Sequence, residues 1–184
     1  MTTRFAILGN AGSGKSTLAG WLAGAAGLAM LDLDTVAWEP AQPAVARPPA
    51  AARADVAAFC ARHERWVIEG CYADLVEAAL AYGPRLVLLD PGLEACLANC
   101  RRRPWEPHKY PSKQAQDANL QPLLSWAAGY YVRGGTMSLK GHRQCLAGFA
   151  GRKVVLRRLP RLHPPEAQLL AWLDRDPVHQ VRRA

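Results

Sequence analysis

Three carboxylates, one lysine and a run of three arginines stand at the junctions between successive runs of this chain. Lys15 and Ser16 lie near the end of Gly9-Asn10-Ala11-Gly12-Ser13-Gly14-Lys15-Ser16-Thr17. Asp32 and Asp34 end the run that starts at Leu28, Glu69 ends the run from Arg65, and Arg101, Arg102 and Arg103 precede Pro104. A lysine beside a hydroxyl and three glycines is suited to holding an anion. The glycines let successive backbone N–H groups turn inward, and the ammonium adds a mobile charge. Neighbouring carboxylates suit the water shell of a divalent cation or the removal of a proton from a hydroxyl. Arginines suit the neutralisation of charge that develops on a transferring phosphoryl group.

The first group meets the pattern G-x-x-x-x-G-K-[ST] in full. The apolar run Phe5-Ala6-Ile7-Leu8 precedes it and Leu18-Ala19-Gly20-Trp21-Leu22 follows, so strand, glycine-rich turn and helix come in the order a P-loop requires. Gly9, Asn10, Ala11, Gly12, Ser13, Gly14, Lys15, Ser16 and Thr17 are therefore expected to cradle the phosphates of ATP. In that reading Lys15 reaches the β- and γ-phosphates, Ser16 ligates Mg²⁺ and Thr17 begins the buried part of the helix. The alternative is a strand-to-helix turn with no ligand.

The remaining elements follow from periodicity. A helix is expected over 16–26, stopped by Gly27, then a strand from Leu28 to Asp34. Strand alternation would point Asp32 and Asp34 to one side. Asp32 is the candidate for the Mg²⁺ water shell, and Asp34 for orienting or deprotonating an acceptor hydroxyl; either could instead be a turn or helix N-cap aspartate. Residues 39–49 are proline-rich and read as an excursion, and a helix follows over about 50–64. Together, about 37–64 form the candidate acceptor-binding insertion, where Trp38 and Arg47 read equally as substrate contacts or as packing.

Arg65 to Gly70 reads as a strand carrying Glu69 to the metal's water shell or to the acceptor, with Tyr72 and Asp74 at the mouth. A helix over Asp74 to about Tyr82 then leads to the continuously apolar strand Arg85–Asp90, of the kind buried on both faces of a parallel sheet. The helix over 93–103 ends in Arg101, Arg102 and Arg103, and about 101–116 reads as a lid. At least one of these arginines is expected to act on the transferring group; the triplet would equally complement a helix C-terminus. Helices over 117–131 and 138–150, a strand at 153–157 and a final helix from about 164 complete the pattern. The loop 158–163, with Arg161, is a candidate adenine contact.

Composition fits one domain over 1–184. The formal charge is +8, with 50% hydrophobic residues, and no apolar run approaches the roughly 20 residues that cross a bilayer. The five cysteines form no C-x-x-C pair. With no secretory pattern at the N-terminus, a cytoplasmic location and no membrane partner are expected. The positive charge keeps nucleic acid open as a partner, and a solvated basic face is the plainer reading for Arg152, Lys153 and the tail.

The order of P-loop, D-x-D strand, acceptor insertion, Glu-Gly strand, apolar strand and arginine-tipped helix resembles the nucleoside-monophosphate kinase and shikimate kinase group of P-loop proteins. Within that group, Leu31-Asp32-Leu33-Asp34 through Trp38, with Trp66-Val67-Ile68-Glu69-Gly70-Cys71-Tyr72, is most similar to bacterial adenylate-kinase-related proteins labelled DNA topology modulation proteins. The resemblance implies an α/β three-layer sandwich with a five-stranded parallel sheet in the order 2-3-1-4-5, helices on both faces and a short lid. It also implies phosphoryl transfer from ATP with Mg²⁺ to a nucleotide or other small hydroxy acceptor. The chain lacks the glycine cluster of shikimate kinases after the third strand, and the Asp-Gly-Phe-Pro-Arg of adenylate kinases, so the resemblance names no acceptor. The rival reading is a nucleotide-dependent regulatory or nucleic-acid-binding ATPase, and simple ATP hydrolysis is a third.

Overall fold

The computed structural model describes residues 3–39, 45–107 and 110–158. Five strands form one all-parallel sheet: β1 (Arg4–Gly9), β2 (Ala29–Asp32), β3 (Trp66–Gly70), β4 (Arg85–Leu89) and β5 (Lys153–Leu156), in the order β2-β3-β1-β4-β5. The connecting helices are α1 (Lys15–Ala26), α2 (Asp34–Ala37), α3 (Pro49–Arg62), α4 (Ala73–Leu80), α5 (Leu93–Arg102), α6 (Lys113–Ala118), α7 (Leu120–Gly129) and α8 (Leu139–Gly148).

The central strands β1, β3 and β4 are largely apolar because both faces of the sheet are covered there. Phe5, Ile7, Val67, Val87 and Leu89 pack against Leu18, Ala19, Leu22 and Ala26 of α1. The alternate residues Ala6, Leu8, Ile68, Leu86 and Leu88 pack against α3, α4 and α8 through Val56, Leu75, Val76 and Leu146. This period of two is what a twice-covered parallel sheet demands. A third, smaller core joins Ala11 of the loop after β1 to Cys100 of α5 and to Leu124 and Ala127 of α7.

Local chemistry sets the element ends. Gly27 takes a left-handed conformation and closes α1 on the Ala23 carbonyl. Pro49 opens α3 at a position that needs no N–H, and the Ser112 and Ser138 hydroxyls accept from the third-residue N–H groups of α6 and α8.

Three boundaries differ from the sequence expectation. The second strand stops at Asp32, whose Oδ1 accepts the Asp34 N–H at 2.9 Å, so Asp34 starts a short helix rather than continuing the alternation. The helix expected over 117–131 is two helices meeting at Asn119. Thr17 is exposed, and the buried part of α1 begins at Leu18. The final helix expected from about 164, and Arg161, lie outside the described residues. Among the described residues no helix is long and apolar enough to cross a membrane.

Candidate functional site

The P-loop is a strained turn held from outside. Gly12 and Gly14 take φ of 72° and 95°, and a Cβ on Gly12 would overlap the Cys96 carbonyl oxygen and lie 2.8 Å from the Cys100 Sγ. Asn99 Nδ2 donates to the Gly12 carbonyl at 2.8 Å, tying the turn to α5. The Asn10 side chain, 1% exposed, accepts the Ala11 N–H and donates to the Ala127 carbonyl, both at 2.8 Å, which pins the loop to α7. Gly9, the last residue of β1, leads into this turn.

Two observations test whether the loop suits a phosphate. The N-terminus of α1 has no side-chain cap, so its first-turn N–H groups point toward the loop's mouth with the positive end of the helix dipole. The Ser13 hydroxyl is buried with no hydrogen-bond partner among the described residues, an orphan of the kind a phosphate oxygen satisfies. The loop fits the group. Lys15 Nζ meanwhile rests 3.4 Å from the Asn10 carbonyl.

The carboxylates converge because the sheet is parallel. Ile7 of β1 is in register with Glu69 of β3, and Glu69 in turn with Asp32 of β2. Register partners in a parallel sheet share a face, so Glu69 and Asp32 point to the α1 side with Ile7 and Val67. There Glu69 comes close to the Ser16 hydroxyl, which favours its ionised form. Glu69 is 2% exposed, and burial holds its carboxyl above the usual range. Lys15 and the Ser16 hydroxyl oppose that rise, and the Asp32 and Asp34 charges add to it. A hydroxyl beside a carboxylate can direct its proton there and keep its lone pairs for a cation, so Ser16 fits a magnesium ligand.

Lys15 is raised above the ordinary lysine value. Burial alone would lower it, but it sits among Cys71, Glu69 and Asp34, with the Arg103 charge opposing them. The Cys71 thiol is itself pushed up by burial and is neutral at pH 7, so the two carboxylates hold the ammonium charged. Asp34 is gripped by Tyr72, whose hydroxyl donates to Oδ1 at 2.8 Å while accepting from the Trp38 indole N–H at 2.8 Å.

The arginine triplet divides. Arg101 and Arg102 are exposed at the end of α5, and Arg102 donates to Asn99 Oδ1 at 2.9 Å. Arg103 is half-buried, pairs with Glu106 at 3.1 Å, and is the member whose charge Lys15 feels. The expected lid is stitched to α6: Gln116 accepts the Glu106 N–H at 2.9 Å and donates to the Pro104 carbonyl at 3.0 Å. A small, shallow cleft opens there, lined by Arg101, Arg103, Tyr110 and Gln116 among others; Lys15, Asp34 and Glu69 do not line it. Arg47 is taken up by Asp55 at 2.7 Å and the Val36 carbonyl at 3.0 Å, which makes it a brace between α2 and α3.

Sequence reasoning did not find the buried support behind the site. His142 is fully buried, with Nε2 2.8 Å from the Cys71 carbonyl and Nδ1 2.8 Å from the Tyr130 hydroxyl. A carbonyl only accepts, so Nε2 carries the proton and Tyr130 donates to Nδ1. Asp90, buried at the end of β4, accepts from Tyr131 at 3.0 Å and pairs with Arg157 at 2.5 Å. That pairing gives Arg157 a role in the fold. Arg133 lies over the Trp126 ring at 3.9 Å and donates to the Met137 carbonyl at 2.8 Å. No local pattern marks His142 or Asp90, whose partners Cys71 and Arg157 are 71 and 67 residues away.

The sheet order, the P-loop between β1 and α1, and the helices on both faces define the fold of the small P-loop kinases. A sugar kinase from Janibacter sp. superposes over 95% of this chain and 95% of its own, with 17% identity and a TM-score of 0.51. Shikimate kinase from Aquifex aeolicus does so over 93% of this chain and 96% of its own, with 16% identity and a TM-score of 0.50. At these identities the likeness is one of fold. No protein-family model matches the chain, and no curated protein matches it.

Proposed function

We propose that the protein is an ATP-dependent phosphotransferase acting on a nucleotide or another small hydroxy acceptor. The observation that carries this reading is the meeting of Lys15, Glu69 and Asp34 beside a complete P-loop. A loop that only binds nucleotide needs the lysine; a buried glutamate and a second, oriented aspartate supply what an acceptor hydroxyl needs.

In this reading the loop amides and Lys15 hold the donor phosphates. Ser16, with Asp32 through water, would hold Mg²⁺, which supplies charge neutralisation between the phosphates when bound. Asp34 takes the acceptor's hydroxyl proton as that oxygen bonds to the γ-phosphorus, and the bond to the β-phosphate oxygen breaks to release ADP. Glu69 orients Ser16 and the water shell, and Arg103, with Arg101 or Arg102 at its side, neutralises the phosphoryl group in transfer. Arg161 would meet the adenine. The insertion at 37–64 would hold the acceptor, and the segment at 101–116 would close over it.

Trp38 and Tyr72, which carry part of the local likeness to the DNA topology modulation proteins, hydrogen-bond toward Asp34. The five cysteines are buried and unbridged, which fits a cytoplasmic setting. The test is a mass-based screen of nucleosides, nucleotides and small hydroxy compounds for an ATP-dependent gain of one phosphoryl group. Lys15→Ala removes that product and the ATP affinity. Unchanged affinity and turnover in this variant would overturn the assignment.

A further inference from the structure

We infer that Tyr72 and Trp38 are positioning residues that set the orientation of the Asp34 carboxylate for phosphoryl transfer, through the chain Trp38 Nε1–H to Tyr72 Oη and Tyr72 O–H to Asp34 Oδ1. The inference rests on the kinase reading above and assigns two side chains that the reading does not need in order to stand.

The chain runs in one direction only. An indole nitrogen donates and never accepts, a carboxylate accepts, and the phenol between them has a single proton. Both links are 2.8 Å, so Tyr72 must accept from Trp38 and give its proton to Asp34. Burial and then the Asp34 charge hold the Tyr72 phenol above its ordinary value, so the donor keeps its proton throughout the neutral range. Accepting one hydrogen bond polarises the phenol for donating the next, so Trp38 strengthens the contact it does not itself make.

The geometry gives the relay its purpose. The Asp34 backbone is fixed by the Asx turn from Asp32 Oδ1 at 2.9 Å, and Tyr72 fixes the side chain, committing Oδ1 and with it the plane of the carboxylate. The two ends of the relay come from different parts of the fold. Tyr72 follows β3 directly and is anchored to the sheet, whereas Trp38 caps α2, pairs with Ala46, and so belongs to the acceptor insertion. The arrangement of the insertion around an acceptor is thereby tied to the orientation of the group that receives its proton.

ADP release from ATP, with water standing in as the hydroxyl acceptor, is the probe. Tyr72→Phe keeps the ring and removes both links; kcat is expected to fall about tenfold or more, with the KM for ATP unchanged. Trp38→Phe removes the outer link and is expected to lower kcat by less. In an Asp34→Ala background, Tyr72→Phe is expected to cost nothing further, because Tyr72 acts through Asp34. The ¹H–¹⁵N indole signal of Trp38, assigned among the six tryptophans by its loss in Trp38→Phe, is expected to move upfield in Tyr72→Phe. Full kcat in a folded Tyr72→Phe protein would overturn the inference, as would losses that add in the double variant or an indole signal that stays in place. Wild-type protein that binds ATP yet transfers its phosphoryl group to nothing, water included, would overturn the kinase reading, and the relay's role would fall with it.

Discussion

Acidification from pH 7 to pH 4 is expected to cost the fold about 3 kcal/mol at a single residue, His142. Its pKa is pulled from 6.5 to about 4, first by burial and then by the Lys15 and Arg133 charges, against the hydrogen bond to the Cys71 carbonyl and the Asp90 charge. The unfolded chain takes up a proton as pH falls through 6.5, whereas the folded protein does so only near 4. Between those values the unfolded state binds more protons, so this contribution is complete above about pH 6.5 and is lost as pH falls through the window. At about 1.4 kcal/mol for each tenfold difference in proton affinity, the gap gives about 3 kcal/mol. Glu69 acts with the opposite sign: its raised value lets the folded state bind a proton first, which offsets part of the loss. The two are separated by comparison with His142→Gln. In urea unfolding from pH 7 to pH 4, the wild type is expected to lose about 3 kcal/mol relative to the variant. The His142 imidazole resonance, read in the wild type alone, is expected to stay unmoved down to about pH 5. A stability difference that stays flat across the window, or an imidazole titrating near 6.5, would refute the reasoning.

Asn10→Ala takes the Oδ1 acceptor from the buried Ala11 N–H and leaves the Ala127 carbonyl with only the Tyr130 N–H at 3.3 Å; it is expected to cost about 1–3 kcal/mol in urea unfolding, with weaker ATP binding as the loop loses its tie to α7. Gly12→Ala must place a Cβ against the Cys96 carbonyl at a φ of 72°; a loss of at least about 1–3 kcal/mol and of measurable ATP binding is expected, and full binding would show that the loop can relax away from α5. All five thiols are buried, with Cys60, Cys96 and Cys145 pushed up to about 11, so a thiol reagent at pH 8 is expected to react slowly with native protein and with all five in urea.

Much of the fold is legible in the sequence because its signals are local. The run Phe5–Leu8, the glycines at 9, 12 and 14, and the continuously apolar Arg85–Leu89 each declare their conformation within a few residues, and the chain order of strands and helices follows from them. The strand period does not persist to Asp34, because an aspartate side chain that bonds a backbone N–H two residues on ends a strand as readily as it decorates one. The single helix expected over 117–131 failed for a similar reason, since periodicity alone does not register the break at Asn119.

The identities of Lys15, Ser16, Asp34 and Glu69 as candidates were matters of residue type and motif, which the sequence by itself determines. Their meeting was not. Glu69 reaches Ser16 only because β3 lies between β1 and β2 with Glu69 in register with Ile7 and Asp32. Tyr72 becomes the partner of Asp34, Arg47 becomes a brace, and His142 comes to support Cys71, across separations of 38, 11 and 71 residues. Hydrogen bonds act over about 3 Å, and nothing within a few residues of any of these side chains specifies which distant group will occupy that distance; only the folded chain decides it.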